Sequence, residues 1–370
     1  MKIAFFNPAT MAFNVATPET QPLGGMASSI CYLAQALAAR GHDVTLISML
    51  PPDTPSVLRG VRHVPIKPVL PDAAGYFRRE DFDAVLAVNY PDVASHVRGG
   101  SPNTLNIAWL HIFPDQPALA PLPAAQVFLD VAVCVSETQR KTFRLSIPTV
   151  AIGNAIAPAF ENMFASAEEL LAAKQNRAVY ASMPFRGLDI LVQAMGRAGG
   201  KAELDIFSSM RAYQAQENSF TALYELAQKN PRIRYHGGIG QQALARGFRD
   251  AAYLAYPSTY IETYCIVAQE ALAAGLKVIS NDLGALPETT LGYADLLPVK
   301  SGTLPPAEHA AGIAALLEKN EAAFLRDRRA WAEERFVQMQ TVNRLSTWAV
   351  RAAEWEAFLA PAVASKRGPH

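Results

Sequence analysis

Two doubly wound α/β halves are what this sequence predicts, and three observations carry the prediction. Short apolar runs of strand length alternate with helical segments along almost the whole chain. The alternation breaks between 155 and 176 and then restarts. Half of the 370 residues are apolar, enough for two cores of ordinary domain size. Val/Ile-rich strands between helices imply parallel sheets covered on both faces. Ligands in such folds bind at the carboxyl ends of the strands. Two halves facing each other would make a cleft there.

The elements follow in order. KIAFFN at 2–7 reads as a buried strand, followed by a glycine-rich loop and an apolar helix over 26–40 that stops at Gly41. Further strands are expected at 43–48, 83–89, 104–110, 131–136 and 149–154. The stretch 51–80 reads as a loop, and 155–176 as a linker with one short helix. The second half predicts strands at 177–182, 203–208, 232–237 and 252–257, with helices near 188–197, 218–229 and 241–250. A helix from Tyr264, stopped by Gly275, precedes the strand Lys277–Ser280. The last helix, 341–359, carries Leu345, Trp348, Ala352 and Trp355 at helical spacing, and 365–370 reads as a disordered tail. The halves therefore cover 1–160 and 175–340, with a terminal helix over about 341–362.

Composition excludes several classes. With 33 basic and 33 acidic side chains, bulk attraction to nucleic acid is not expected. Cys31, Cys134 and Cys265 stand apart in apolar segments, with neither metal spacing nor a disulfide framework, which suits reduced thiols in the cytoplasm. MKIAFFNP is a strand pattern and not a signal peptide, and no apolar run approaches the roughly 20 residues that cross a bilayer. The triplet 81-DFD-83 resembles a metal–nucleotide motif but begins a strand, the wrong end for a ligand. G-x-S-x-G, Walker, H-E-x-x-H and G-x-G-x-x-G patterns are missing, and the last absence argues against an NAD-dependent oxidoreductase.

Four features remain. Gly24 and Gly25 sit between a strand and a helix, where backbone can approach an anion; an ordinary tight turn is the alternative. Glu262 and Glu270 lie eight residues apart, Glu270 among apolar neighbours, and a buried carboxylate demands a partner. Eight helical residues span about 12 Å, comparable to the reach from sugar to ribose in a nucleotide-sugar. Amides of Thr263, Tyr264 and Cys265 would open that helix towards a diphosphate, whereas two solvated glutamates would be the plain reading. His111 directly follows a buried strand, and Arg186 precedes a helix-opening glycine, where a guanidinium can hold a diphosphate. A structural histidine and a surface salt bridge are their alternatives.

Together these residues resemble the retaining GT-B glycosyltransferases of family GT4. The likeness runs over nearly the whole chain and is strongest at the E-x7-E signature, Glu262 to Glu270, continued by GLKVISNDLGALPET at 275–289. The resemblance implies a GT-B fold, with the terminal helix crossing back to the first domain, and transfer of a hexosyl or related group from a nucleotide-diphosphate sugar. Glu262 would bond the sugar hydroxyls and Glu270 the ribose. Thr263, Tyr264 and Cys265 would contact sugar and phosphate, Gly24 and Gly25 the diphosphate, and His111 the C6 side of the sugar. Arg186 and Ser182 would lie at the phosphates, and Gly237, Gly238 and Ile239 would flank the base. No metal or other cofactor is required. The family usually has an Arg where this chain has Ala181 or Ser182, so the phosphate clamp is one cation short; a non-catalytic nucleotide-sugar binder is the alternative this opens. The acceptor, a saccharide or glycolipid, would meet first-domain loops 51–80 and 113–125. Arg59, Arg62, Lys67, Arg78 and Arg79 could make the former a peripheral membrane or anionic-acceptor surface, or simply a solvated face.

Overall fold

In the computed structural model of the chain, residues 1–213, 215–216, 219–299 and 304–368 are described. Strand β1 (Lys2–Asn7) leads to α1 (Thr17–Thr20) and α2 (Gly25–Ala39). Then come β2 (Asp43–Ser48), β3 (Val57–Leu58), β4 (Val61–Pro65), α3 (Ala73–Glu80), β5 (Ala84–Val88), α4 (Val93–Gly100) and β6 (Leu105–Leu110). Next are α5 (Leu122–Ala125), β7 (Val131–Cys134), α6 (Glu137–Arg140) and β8 (Thr149–Ala151). The chain continues through α7 (Ala167–Ala173), β9 (Gln175–Ala181), α8 (Leu188–Arg197), β10 (Glu203–Phe207), α9 (Thr221–Gln228) and β11 (Ile233–Tyr235). It ends with α10 (Gln241–Arg249), β12 (Ala251–Tyr256), α11 (Ile266–Ala273), β13 (Lys277–Asn281), α12 (Leu286–Thr289), β14 (Asp295–Leu297), α13 (Pro306–Arg326), α14 (Arg328–Leu345) and α15 (Trp348–Arg367).

The chain forms two compact units. The first comprises Met1–Thr17, Gly25–Asn154 and Trp348–His370; the second, Pro18–Gly24 and Ala155–Thr347. The first unit's sheet runs β3-β4-β2-β1-β5-β6-β7-β8, parallel except at the β3–β4 hairpin. The second runs β11-β10-β9-β12-β13-β14, all parallel. Both orders turn back at the first strand, which puts a switch point beside β1 and β5 in one unit and β9 and β12 in the other. The strands are apolar because helices cover both faces: β5, β6 and β12 are buried at every position. Helix α15 completes the first unit, its Trp355 packed edge-on against Trp109 at 5.5 Å.

Several expectations change. The 51–80 stretch is no loop: it contains β3, β4 and α3, with Val61 and Phe77 in the core. Its prolines had hidden the short strands. The terminal helix does not run unbroken from 341: α14 ends at Leu345 and α15 begins at Trp348. Ile156 N donates to Ser346 O, and Ile156 pairs with Thr347 as an isolated bridge, so an extended pairing interrupts the helix. Leu345 is consequently exposed while Trp348 and Trp355 are buried. The tail is helical through Arg367, where Lys366 pairs with Asp130 at 2.7 Å; residues 369–370 lie outside the described residues, as does residue 218 of the expected 218–229 helix.

Candidate functional site

In both units the apolar strands end on polar, buried residues. In the first these are Asn7 (β1), Ser48 (β2), and, just past β5, β6 and β7, Asn89, His111 and Ser136. His111 N donates to Asn89 Oδ1 at 2.7 Å, and Asn89 Nδ2 lies 3.0 Å from Met26 Sδ at the start of α2. Asn89 thus joins His111 to the helix that Gly25 opens. Burial pushes the His111 imidazole down to about 3, so the ring is neutral, and it stands edge-on to Trp109 at 4.4 Å.

The second unit gathers charge at the switch point. Arg186 follows β9, and Glu262 follows β12. Arg186 Nη1 donates to Glu262 Oε1 at 2.8 Å, and the Tyr256 hydroxyl donates to the same oxygen at 2.5 Å. Ser182 Oγ lies 3.5 Å from the Tyr256 hydroxyl. The guanidinium also sits 4.4 Å over the Tyr260 ring. Burial works against its charge, but Glu262, Tyr256 and Tyr213 together outweigh it and hold Arg186 above its ordinary value. Arg186 Nε has no hydrogen-bond partner among the described residues, which leaves an N–H for an anionic group.

Backbone geometry fixes Glu262. Ala285 N donates to Glu262 O at 2.8 Å. Gly284 has φ +64°, and a Cβ there would fall 2.4 Å from Glu262 O, so only glycine allows this approach. The 275–289 segment holds the motif by this clamp.

Glu270 is different. It is 2% exposed, and Ala157 N at 3.2 Å donates to its carboxylate. Burial pushes its carboxyl up to about 8, the Ala157 bond offsetting only part of the effect. The eight residues from Glu262 to Glu270 are not one helical run. Helix α11 begins at Ile266, because Cys265 is left-handed at φ 70°. Thr263, Tyr264 and Cys265 therefore form an irregular turn ahead of the helix. A non-glycine residue in that region costs about 1 kcal/mol or more. The buried Cys265 thiol is pushed up by desolvation and then by Glu262, with Glu270 adding to it. Tyr264 turns its hydroxyl back to Gln269 at 2.9 Å.

Gly24 belongs to the second unit. Gly24 N donates to Ala212 O at 3.1 Å, beside Tyr213. Residues Pro18–Gly24 form a strap on this unit; Gly238 packs against Ser209 and against Pro22 of the strap, and Ile239 is half-buried next to it. A Cβ on Gly240 would fall 2.4 Å from Thr20 C and 2.6 Å from Glu19 O. Gly240 has φ −74°, so close approach and not backbone conformation requires a glycine there.

The structure thus joins Arg186 and Glu262 directly, brings Ser182 to them through Tyr256, sets Gly238 beside Gly24's strap, and holds His111 and Gly25 in the first unit. Sequence reasoning missed Tyr256 and Tyr260; a tyrosine closing an otherwise apolar strand was the available signal for Tyr256. Asp81 and Asp83 lie at the amino end of β5. Asp83 accepts from Lys2 N at 2.6 Å and pairs with Arg367 at 3.0 Å. Among the described residues, no group of three or more His, Cys, Asp or Glu could hold a metal ion. Of the basic residues in 51–80, Arg62 pairs with Glu80 and Arg79 with Asp72. No described helix is long and apolar enough to cross a membrane.

Comparison with known proteins adds the following. A family model described as Glycosyl transferases group 1 matches residues 177–319, and one described as Glycosyltransferase Family 4 matches 23–121. A D-inositol 3-phosphate glycosyltransferase of Streptomyces griseus is 44% identical over 55 residues, 15% of this chain and only 11% of that relative's length. Sucrose-phosphate synthase from Thermosynechococcus elongatus superposes with a TM-score of 0.73 at 19% identity, covering 98% of this chain and 99% of its own. HepE from Anabaena, in complex with UDP and glucose, superposes with a TM-score of 0.71 at 14% identity, covering 98% and 100%.

Proposed function

We propose that this chain, which matches the two glycosyltransferase family models and shares the GT-B fold, moves a sugar from a nucleotide-diphosphate donor to an acceptor hydroxyl with retention at the anomeric carbon. The observation that supports this reading best is the Arg186–Glu262–Tyr256 cluster at the β9/β12 switch point. Arg186 holds the diphosphate, Glu262 the sugar hydroxyls, and Glu270 the ribose, whose hydroxyls supply the donors a buried carboxylate lacks. Gly24 and Gly25, with the turn at Thr263, Tyr264 and Cys265, bring backbone amides to phosphate and sugar. Neutral His111 serves the C6 side of the sugar, and the base lies by Gly238 and Ile239.

The bond between the anomeric carbon and the phosphate oxygen breaks, the acceptor oxygen bonds to the same face, and the acceptor's proton passes to the leaving phosphate. Catalysis is then positioning and stabilisation of the departing diphosphate, with no metal needed. A saccharide or glycolipid hydroxyl is the acceptor.

A thermal-shift screen against UDP-, GDP-, ADP- and TDP-sugars in EDTA tests this, because a ligand bound only to the folded state raises the midpoint with concentration. One nucleotide class should shift wild type and fail to shift Glu270→Ala. No shift with any donor would sink the proposal. Binding without transfer or donor hydrolysis across an acceptor panel would favour the non-catalytic binder, which Ala181 or Ser182 in place of a second cation makes the rival reading.

A further inference from the structure

The segment between β12 and Glu262 hangs on two polar side chains at the end of β13. Ser280 Oγ donates to Tyr256 O at 2.5 Å, and Asn281 Nδ2 donates to Ser258 O at 2.6 Å. Ser258 passes the constraint on: its Oγ donates to Tyr260 O at 2.7 Å and lies 3.3 Å from Tyr260 N. Thr259 Oγ1 fixes the other side, donating to Phe185 O at 3.1 Å. The residues so held, Tyr256, Tyr260 and Glu262, are those that surround the Arg186 guanidinium.

Asn281 is 1% exposed, and its amide nitrogen also lies 3.3 Å from His309 Nε2 in the first turn of α13. An amide nitrogen only donates, so Nε2 must accept and the ring proton sits on Nδ1. Burial pushes the His309 imidazole down, with Asp189 pulling the other way, which favours the neutral ring that can accept. The Asn281 Oδ1 has no partner among the described residues. The orientation of this amide is therefore set by what it donates to, Ser258 on one side and His309 on the other.

We infer that Asn281, backed by His309, is a positioning residue of the transfer reaction: it sets the 257–262 segment so that the Tyr256 hydroxyl, the Tyr260 ring and the Glu262 carboxylate converge on Arg186. The inference rests on the transferase reading for its functional half. Asn281 touches neither Arg186 nor Glu262; it acts through the loop. A merely space-filling amide would change stability and leave the folded protein's donor affinity untouched.

The test uses the full chain as wild type, Asn281→Ala and His309→Gln. Amide hydrogen exchange of residues 257–264 without ligand reads the brace, and titration with UDP-glucose, GDP-mannose and ADP-glucose reads the donor site. Asn281→Ala should speed exchange in that segment about tenfold or more, with distant strands unchanged, and weaken donor binding about tenfold, the scale of one buried hydrogen bond. His309→Gln should stay within a few fold of wild type, because its amide oxygen can still accept. Unchanged exchange over 257–264 in Asn281→Ala overturns the brace, and faster exchange with unaltered donor affinity overturns the positioning role. Failure of wild type to bind every donor is a failure of the transferase reading; the exchange arm then still judges the brace. Should Asn281→Ala not fold, His309→Leu, which removes the acceptor from outside the loop, takes its place with the same criteria.

Discussion

The two units share one architecture and differ in what they place at the ends of their strands. The first ends its strands on uncharged groups: Asn7, Ser48, Asn89, a neutral His111 and Ser136. The second places Arg186 and Glu262 at its switch point and buries Glu270 in the helix that follows. An uncharged buried group needs only a hydrogen bond, and Asn89 with His111 shows how cheaply backbone can supply one. A buried charge needs a counter-charge or several donors. Arg186 and Glu262 solve this for each other. Glu270, with Ala157 N donating to it, does not, and its raised proton affinity records the deficit. The same fold therefore makes a neutral surface or a charged site according to a few strand-end residues.

The largest effect should come from breaking the charged pair. Arg186→Ala and Glu262→Ala should each lower the rate of transfer by about a hundredfold or more, measured as kcat/KM with the donor class found by thermal shift. The double variant should cost far less than the product of the two, since each single change already leaves a buried partner alone. Additive losses would mean the two act separately.

The middle effect opposes the two units in pH. Glu270 binds its proton more tightly folded than unfolded, so between 4.5 and about 8 the ligand-free protein should lose stability as pH rises. His111 binds its proton less tightly folded, so stability should fall as pH drops from 6.5 towards about 3. Each slope is at most about 1.4 kcal/mol per pH unit. Urea midpoints across pH should show Glu270→Gln flattening the alkaline limb and His111→Gln the acid limb. A variant that leaves its own limb unchanged would remove that residue from the comparison. Because ribose hydroxyls suit the charged carboxylate, wild-type donor affinity should also climb with pH in the Glu270 window.

The smallest effect tests the strap. Gly240→Ala puts a methyl against the backbone of Glu19 to Gln21 while its own φ remains acceptable. Donor KM should rise a few fold, in keeping with about 1–3 kcal/mol of overpacking shared with the strap's movement. An unchanged KM would mean that the seat of residues 18–24 does not bear on the donor.

Much of this was legible in the sequence. The strand–helix alternation, the E-x7-E spacing, Arg186 before Gly187 and the place of Asp81 and Asp83 at the amino end of a strand all follow from local pattern. The hidden parts have a common reason. In 51–80, prolines and short strands defeat periodicity. At 346–347, a pairing with Ile156, nearly two hundred residues away in sequence, overrides local helix propensity. At 263–265, the left-handed Cys265 delays the helix, and nothing in a cysteine announces it.

By itself, then, the sequence determined the architecture and the ionisable groups on offer at the strand ends, because burial patterns and residue chemistry are local properties. Partnership was left to the tertiary structure. It decided that Tyr256, from an apolar strand, shares an oxygen of Glu262 with Arg186; that Ala157 donates to Glu270 from 113 positions away; and that Pro18–Gly24 folds with the second unit. Such choices depend on distances between residues remote in the chain, and those are fixed only when each sheet assembles and its own crossovers bring the carboxyl ends of its strands together.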